Sequence, residues 1–193
     1  MFVDEIKLSV HSGAGGSGSV SFKKTSSKSS PSGGSGGHGG SVIISVNHEL
    51  NDLSHIISNN SFKAENGTDG NKNFQNGKKG KDLIIEVPRG TKIIVDNEVY
   101  ADLHEHKSSF IVLEGSKAGR GNYDLISKRV PNPQFCEHGE KRNKIEIKLI
   151  YSIYSDIVIV GLPNAGKSTL ITKLTNSKAQ IADYEFTTTS PNL

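Results

Sequence analysis

The stretch that decides the fold is Gly33-Gly34-Ser35-Gly36-Gly37-His38-Gly39-Gly40, in which a glycine doublet recurs every three residues. A polyproline II helix has three residues per turn, so this spacing places glycine on the same face of successive turns. Two later stretches, Gly67-Thr68-Asp69-Gly70 and Gly77-Lys78-Lys79-Gly80, repeat the three-residue step. Because glycine carries no side chain, such segments can approach one another closely. The spacing therefore predicts an ordered glycine-rich fold.

A flexible linker is the alternative interpretation of the same composition. Residues 11–41 contain ten glycines and eleven serines, which is typical of linkers. A random linker, however, would not be expected to resume its period further along the chain. The periodicity therefore favours the ordered interpretation.

Short apolar stretches between and after the glycine runs predict strands rather than helices. We expect residues 1–153 to form one domain, mainly of β-strand and glycine-rich, polyproline-II-like coil. Lysines in its glycine-rich part are expected at exposed loop tips: Lys23, Lys24, Lys28, Lys78, Lys79 and Lys81. The predicted strands are residues 2–10, Val42–Val46, Leu83–Val87, Lys92–Val95, Phe110–Leu113 and Ile145–Ile150.

Composition excludes several classes of protein. The longest aliphatic run, Ile157–Val160, is far shorter than the ~20 residues of a membrane-spanning helix. A single cysteine, Cys136, excludes an internal disulfide framework and suits a reducing compartment. We therefore expect a soluble, intracellular protein without a membrane span.

The net charge of +3 arises entirely within residues 1–150, which permits a polyanionic partner such as RNA. The short basic cluster Lys141-Arg142-Asn143-Lys144 has two interpretations, a solvated loop or an RNA contact.

Near the end of the sequence lies a motif with a defined chemistry. Gly161-Leu162-Pro163-Asn164-Ala165-Gly166-Lys167-Ser168 satisfies the G-x-x-x-x-G-K-[ST] pattern of a phosphate-binding loop. The β-branched run Asp156–Val160 before it predicts a buried strand, and Thr169–Leu174 after it predicts a helix. We therefore expect a strand, a phosphate-binding loop and a helix in succession.

Each residue type in this loop has a physical role. Gly161 and Gly166 allow backbone conformations and approaches that a Cβ would obstruct. Successive N–H groups and the positive end of the following helix attract phosphate oxygens. Lys167 is expected to reach the β- and γ-phosphates, and Ser168 to place its hydroxyl on Mg²⁺.

The loop alone does not distinguish a kinase, an ATPase and a GTPase. A threonine about twenty residues after the loop serine suits the first switch of a GTPase, where it senses the γ-phosphate and Mg²⁺. The stretch Phe186-Thr187-Thr188-Thr189-Ser190 supplies such threonines. An adenine-nucleotide phosphotransferase remains the alternative at this point.

The chain resembles the Obg/CgtA family of GTPases over nearly its whole length. The resemblance is carried by the opening Phe2-Val3-Asp4-Glu5-Ile6-Lys7, Gly13–Phe22, the doublets at 33–40, Phe62–Glu65 with the later glycine steps, Val87–Thr91, Gly161–Ser168 and Phe186–Leu193.

The resemblance implies an Obg fold in residues 1–153, followed in residues 154–193 by the start of an α/β, Ras-like G domain. It implies a monomer of the bacterial cytoplasm, or of an organelle, that hydrolyses GTP and binds the large ribosomal subunit and its rRNA during assembly. Ser168 and Thr188 would hold Mg²⁺, and Asn164 resembles a loop asparagine that coordinates K⁺ in some related GTPases. The residues that would line GTP or GDP are Gly161, Leu162, Pro163, Asn164, Ala165, Gly166, Lys167, Ser168, Phe186, Thr187, Thr188, Thr189 and Ser190.

The sequence also departs from that family. The Asp-x-x-Gly element that senses the γ-phosphate and the Asn/Thr-Lys-x-Asp element that reads guanine do not follow the loop. We therefore expect a truncated chain that hydrolyses GTP weakly or not at all by itself, with its water-positioning residue unassigned. The alternative function is a non-catalytic ribosome- or RNA-binding remnant of such a GTPase.

Overall fold

The computed structural model describes residues 3–25, 28–103, 109–152, 159–162 and 165–174. Strands dominate them, and helix is confined to a 3₁₀ turn at Ser54–Ile56 and one α-helix, so the mainly β prediction is confirmed for the described residues. None of the helices in these residues is long and apolar enough to cross a membrane. The elements are β1 (Glu5–His11), β2 (Phe22–Thr25), β3 (Lys28–Pro31), β4 (Val42–Val46), β5 (Ser61–Lys63), β6 (Leu83–Val87), β7 (Thr91–Val95), β8 (Glu98–Asp102), β9 (Ser109–Leu113), β10 (Lys144–Tyr151) and α1 (Lys167–Leu174).

Two of the sheets enclose the hydrophobic core. A five-stranded sheet has the order β5-β1-β10-β7-β8, and a three-stranded sheet has the order β6-β4-β9. Alternate residues of β1 point inward, so Ile6 and Leu8 are buried while Lys7 between them is exposed. They pack against Ile44 of β4 and Leu149 of β10 in one cluster of buried residues. Burial of these side chains is the main favourable contribution to the stability of this part of the chain.

Six extended segments run between the sheets and three outer connections, and all but the last contain two or more glycines. We name them segments A to F; they cover residues 12–21, 32–41, 64–71, 75–82, 114–122 and 136–143. Segments C and E hydrogen-bond to A in the same chain direction, whereas B and F run opposite to A. The chain therefore leaves the sheets along A, C and E and returns along B, D and F.

Hydrogen bonds between the segments recur every third residue. The amides of Gly13, Gly16 and Ser19 in segment A donate to the carbonyls of Gly40, Gly37 and Gly34 in segment B, at 2.9–3.0 Å. The amides of Ser12, Gly15 and Gly18 donate in the same way to segment F, at 2.9–3.0 Å. This is the three-residue period of a polyproline II helix.

Glycine is required here by close approach between backbones. A Cβ on Gly37 would lie 2.0 Å from the carbonyl oxygen of Lys78, and one on Gly16 would lie 2.0 Å from that of Thr68. Contacts this short do not occur for real side chains. The ordered interpretation of the glycine runs is therefore confirmed, and the flexible-linker interpretation is wrong.

Of the lysines expected at loop tips, those whose side chains the structure describes are exposed, but not all of them lie where the sequence suggested, and the side chain of Lys28 lies outside the description. Lys78, Lys79 and Lys81 belong to segment D, along the side of the bundle, so their expected position at a loop tip is wrong. Lys23 and Lys24 lie in β2, which pairs with β3 to form a hairpin between segments A and B. The hairpin was not predicted because its strands are short and carry lysine and serine rather than apolar residues.

Candidate functional site

The phosphate-binding loop leads directly into α1, as the motif predicts. Gly166 has a φ of +79°, a conformation that glycine adopts at little cost. Its carbonyl accepts a hydrogen bond from the amide of Leu170 at 2.9 Å, which starts the helix at Lys167. The first amides of a helix have no intrahelical acceptor and attract anions. The described part of the loop therefore ends in a helix N-terminus of the kind that binds anions.

The side chain of Lys167 turns back across the loop. Its ammonium donates hydrogen bonds to the carbonyl of Gly161 at 2.9 Å and to that of Leu162 at 2.7 Å. Gly161, Leu162, Ala165 and Gly166 are exposed. One strong cation thus lies beside the exposed backbone that a phosphate would approach.

Part of the predicted nucleotide site lies outside the described residues. These are Pro163, Asn164, Phe186, Thr187, Thr188, Thr189 and Ser190, and they include one of the two expected Mg²⁺ ligands. The other, Ser168, lies in the first turn of α1. The site assignment from sequence therefore remains a prediction.

The buried strand expected before the loop is not observed in its described part. Ile159 and Val160 carry no strand assignment, and Val160 is 88% exposed. An apolar strand is buried only when neighbouring strands and helices cover it. Within the described residues none of the strands pairs with Ile159 or Val160. Residues 156–158 lie outside the description.

A second candidate site lies at the outer end of the glycine-rich bundle. Three connections meet there, residues 22–31, 72–74 and 123–135. The rings of Phe74 and Tyr123 contact edge to face, with centroids 4.8 Å apart. The amide of Phe74 donates to Ser32 O at 2.7 Å, and that of Tyr123 donates to Gly33 O at 3.3 Å. These bonds fix two of the three connections, 72–74 and 123–135, onto the start of segment B.

The outer end combines aromatic rings with positive charge. Phe74 is 45% exposed and Tyr123 is 49% exposed. Exposed aromatic rings beside lysine and arginine are typical of surfaces that stack on unpaired RNA bases. Neither ring belongs to a motif that the sequence revealed, although each directly follows a glycine-rich segment or its turn. The exposed cations of these connections include Lys23, Lys24, Lys72, Lys128 and Arg129.

An ion pair joins an outgoing and a returning segment on the side of the bundle. Arg120 of segment E donates from Nε to Glu137 Oε2 at 2.9 Å and from Nη2 to Oε1 at 2.6 Å. Hydrogen bonds from the Arg120 side chain, opposed by partial burial, lower the pKa of Glu137 from 4.5 to about 2. The pair adds to the backbone hydrogen bonds that join the segments, from Glu137 N to Arg120 O and from Glu140 N to Lys117 O, each at 2.9 Å.

Comparison with known families identifies both parts of the chain. The family model described as GTP1/OBG matches residues 3–153, which is most of the chain. The chain belongs to the GTP1/OBG family. A second model, described as 50S ribosome-binding GTPase, matches residues 156–193. The resemblance to the Obg family is thereby confirmed, and the start of a G domain is indicated by this second match.

Curated relatives support the same family over the whole chain. The protein named GTPase Obg of Nautilia profundicola is 43% identical over 197 residues, covering 100% of this chain and 55% of the relative. Those of Finegoldia magna and Anoxybacillus flavithermus are each 41% identical, and the match covers 47% and 46% of them. The chain spans about half the length of the curated relatives it matches.

Proposed function

We propose that this protein binds and hydrolyses GTP with Mg²⁺ and acts as a nucleotide-dependent switch in assembly of the large ribosomal subunit. The observation that carries the proposal is the match of residues 156–193 to a ribosome-binding GTPase model, on the segment that holds the phosphate-binding loop. Relatives that match the whole chain are named GTPase Obg. A GTP-binding role is thereby supported, and the non-catalytic remnant is not favoured.

The proposal divides the chain by task. Residues 1–153 would contact the ribosome, and residues 154–193 would begin the nucleotide-binding domain. Lys167 would exchange its two loop carbonyls for phosphate oxygens, because a full negative charge is the stronger acceptor. The amides at the start of α1 would bind the same phosphates. The protein would act as a monomer in the bacterial cytoplasm.

A magnesium ion fits the residue types of this site. Mg²⁺ prefers oxygen ligands, and Ser168 stands next to Lys167 in the first turn of α1. Ser168 and Thr188 would hold the ion, and when bound it neutralises charge on the phosphates. Asn164 would bind K⁺. The hydroxyl and amide of Thr188 would report the presence of the γ-phosphate to the surrounding switch.

The outer end of the bundle would insert into ribosomal RNA. Its rings, Phe74 and Tyr123, offer faces on which unpaired bases stack, and its lysines pair with phosphates. Because the three connections are hydrogen-bonded to one bundle, they would bind without much loss of conformational entropy. A hydrogen-bonded, glycine-rich bundle is therefore suited to binding RNA as a rigid element.

Nucleotide preference tests this proposal directly. We expect the intact gene product to bind a fluorescent GTP analogue with Mg²⁺ and to bind the matching ATP analogue far more weakly. Residues 1–193 alone should hydrolyse GTP poorly in a single-turnover assay. Equal binding of ATP and GTP by the intact product would contradict the proposal and favour an adenine-nucleotide phosphotransferase.

A further inference from the structure

A row of basic side chains crosses three strands where the bundle joins the sheets. His11 ends β1 in the middle of the row. It lies opposite Lys144 of the antiparallel strand β10 and level with Lys63 of the parallel strand β5. Residues in such register project from the same face of a sheet. We call Lys63, His11, Lys144 and the neighbouring Arg142 the junction row.

The junction row carries little compensating negative charge. Lys63, Lys144 and Arg142 are exposed, and Arg142 Nη2 donates to Asn66 Oδ1 at 3.1 Å. Lys144 has an acidic neighbour in Glu146, 3.5 Å from its ammonium. Among the residues that the structure describes, neither Lys63 nor Arg142 forms an ion pair. The row therefore presents an excess of positive charge to solvent.

The charges of the junction row oppose folding rather than assisting it. Like charges placed directly opposite each other on a sheet are destabilising. The pKa of His11 is lowered, mainly by partial burial and to a smaller extent by the positive charges of Lys63, Lys144 and Arg142. The buried apolar residues of β1 and β10 set this register, and the charges of the row add nothing to it, so the row is better explained by a negatively charged partner.

We propose that the junction row binds the phosphate backbone of double-helical RNA, as a contact separate from the outer end of the bundle. It rests on the proposed function only in taking that RNA to be ribosomal. Neighbouring strands lie ~4.8 Å apart, so the row spreads its cations over about 10 Å across three strands. A nucleic acid carries regularly spaced phosphates, which the cations of such a row can neutralise.

The side chains of the junction row suit contact with the RNA phosphate backbone better than contact with bases. They also suit RNA better than a protein partner. The row's one aromatic ring is the half-buried imidazole of His11, whereas unpaired bases are bound by stacking on exposed rings such as Phe74 and Tyr123 at the outer end. The row also lacks the apolar centre that a protein interface has. Double-helical RNA is recognised through its phosphates and 2′-hydroxyls, for which lysine and arginine suffice.

The test is the salt dependence of binding to a short, blunt RNA duplex. The 193-residue chain is compared with Lys63→Gln/Lys144→Gln and with a matched control, Lys78→Gln/Lys81→Gln, which removes two exposed lysines from segment D. We expect the slope of log affinity against log salt to fall by about two in the junction-row variant and to stay unchanged in the control. Urea unfolding should show the row variant to be at least as stable as the wild type.

A second readout follows His11 itself by NMR. Bound phosphates would raise the pKa of His11 in the wild type, because they supply the negative charge that its neighbours lack. An unchanged salt slope in the row variant, or an equal loss in both variants, would overturn the proposal. Its failure is distinguishable from failure of the proposed function, in which the wild type would not bind large ribosomal subunits in a nucleotide-dependent way.

Discussion

The side-chain Oδ1 of Asn122 accepts a hydrogen bond from the backbone N–H of Gly33 at 2.8 Å. The same side chain donates from Nδ2 to the carbonyls of Ser21 at 3.0 Å and Pro133 at 3.2 Å. Asn122 is fully buried. One amide therefore joins the ends of segments A, B and E to the outer connection, beside a backbone bond from Ser32 N to Ser21 O at 2.8 Å.

Removing that amide should destabilise the bundle. Asn122→Ala leaves the buried N–H of Gly33 and the carbonyl of Pro133 without this partner, and each such loss costs about 1–3 kcal/mol, whereas Ser21 O keeps the bond from Ser32 N. We expect the free energy of unfolding in urea to fall by about 2–3 kcal/mol. Asn132→Ala, at an exposed asparagine of the same connection, is the control and should change stability little. Equal effects of the two variants would contradict the role assigned to Asn122.

Close approach between segments B and D makes Gly37 intolerant of any side chain. Gly37→Ala would place its Cβ 2.0 Å from Lys78 O, so the backbones must separate. We expect a loss of about 3 kcal/mol or more in unfolding free energy. Lys78→Ala trims the exposed partner and leaves its carbonyl in place, so it should stay within about 0.5 kcal/mol of the wild type. A stable Gly37→Ala protein would refute the close-packed bundle.

The ion pair between Arg120 and Glu137 predicts a pH dependence. The pKa of Glu137 is about 2 in the folded protein and near 4.5 when the chain is unfolded, so its contribution is complete above 4.5. Stability should fall as the pH drops through this window toward 2, because the unfolded chain binds the proton more tightly. Glu137→Gln should weaken this dependence, measured as the urea midpoint against pH. Glu49→Gln, at an exposed carboxylate elsewhere, is the control. Equal curves of urea midpoint against pH for the wild type and Glu137→Gln would exclude the ion pair as a cause of the pH dependence.

Nucleotide affinity should depend on Lys167. Charge-assisted hydrogen bonds are worth about 1.5–3 kcal/mol, so Lys167→Ala should weaken binding of GTP to the intact gene product by roughly 10- to 100-fold. Lys173→Ala removes the same charge from the last turn of α1 and serves as the control. Fluorescence titration with a GTP analogue measures both. Comparable losses in the two variants would show a general charge effect instead of a specific phosphate contact.

Much of the fold follows from local sequence. The stretches Val42–Val46 and Leu83–Val87 were predicted to the residue because their apolar runs end at turn residues. The strand β8 was missed, since Glu98 and Asp102 at its ends obscure its apolar centre. Segment F was missed too, because Gly139 is its only glycine and no period can be read from one residue.

The candidate sites divide in the same way. The phosphate-binding loop is formed by eight consecutive residues, so the sequence alone predicts it. The junction row joins Lys63 and His11, far apart in the chain, and only strand register brings them together. The cluster at 141–144 was visible, but Lys144 opens β10 instead of lying in a loop.

The most direct test of the central claim is co-sedimentation of the intact gene product with large ribosomal subunits. Binding is measured with a non-hydrolysable GTP analogue and with GDP, at matched Mg²⁺ and salt concentrations. We predict that the protein sediments with the subunits in the presence of the analogue and is largely released with GDP. Equal sedimentation with both nucleotides, or none with either, would contradict a nucleotide-dependent switch on the ribosome.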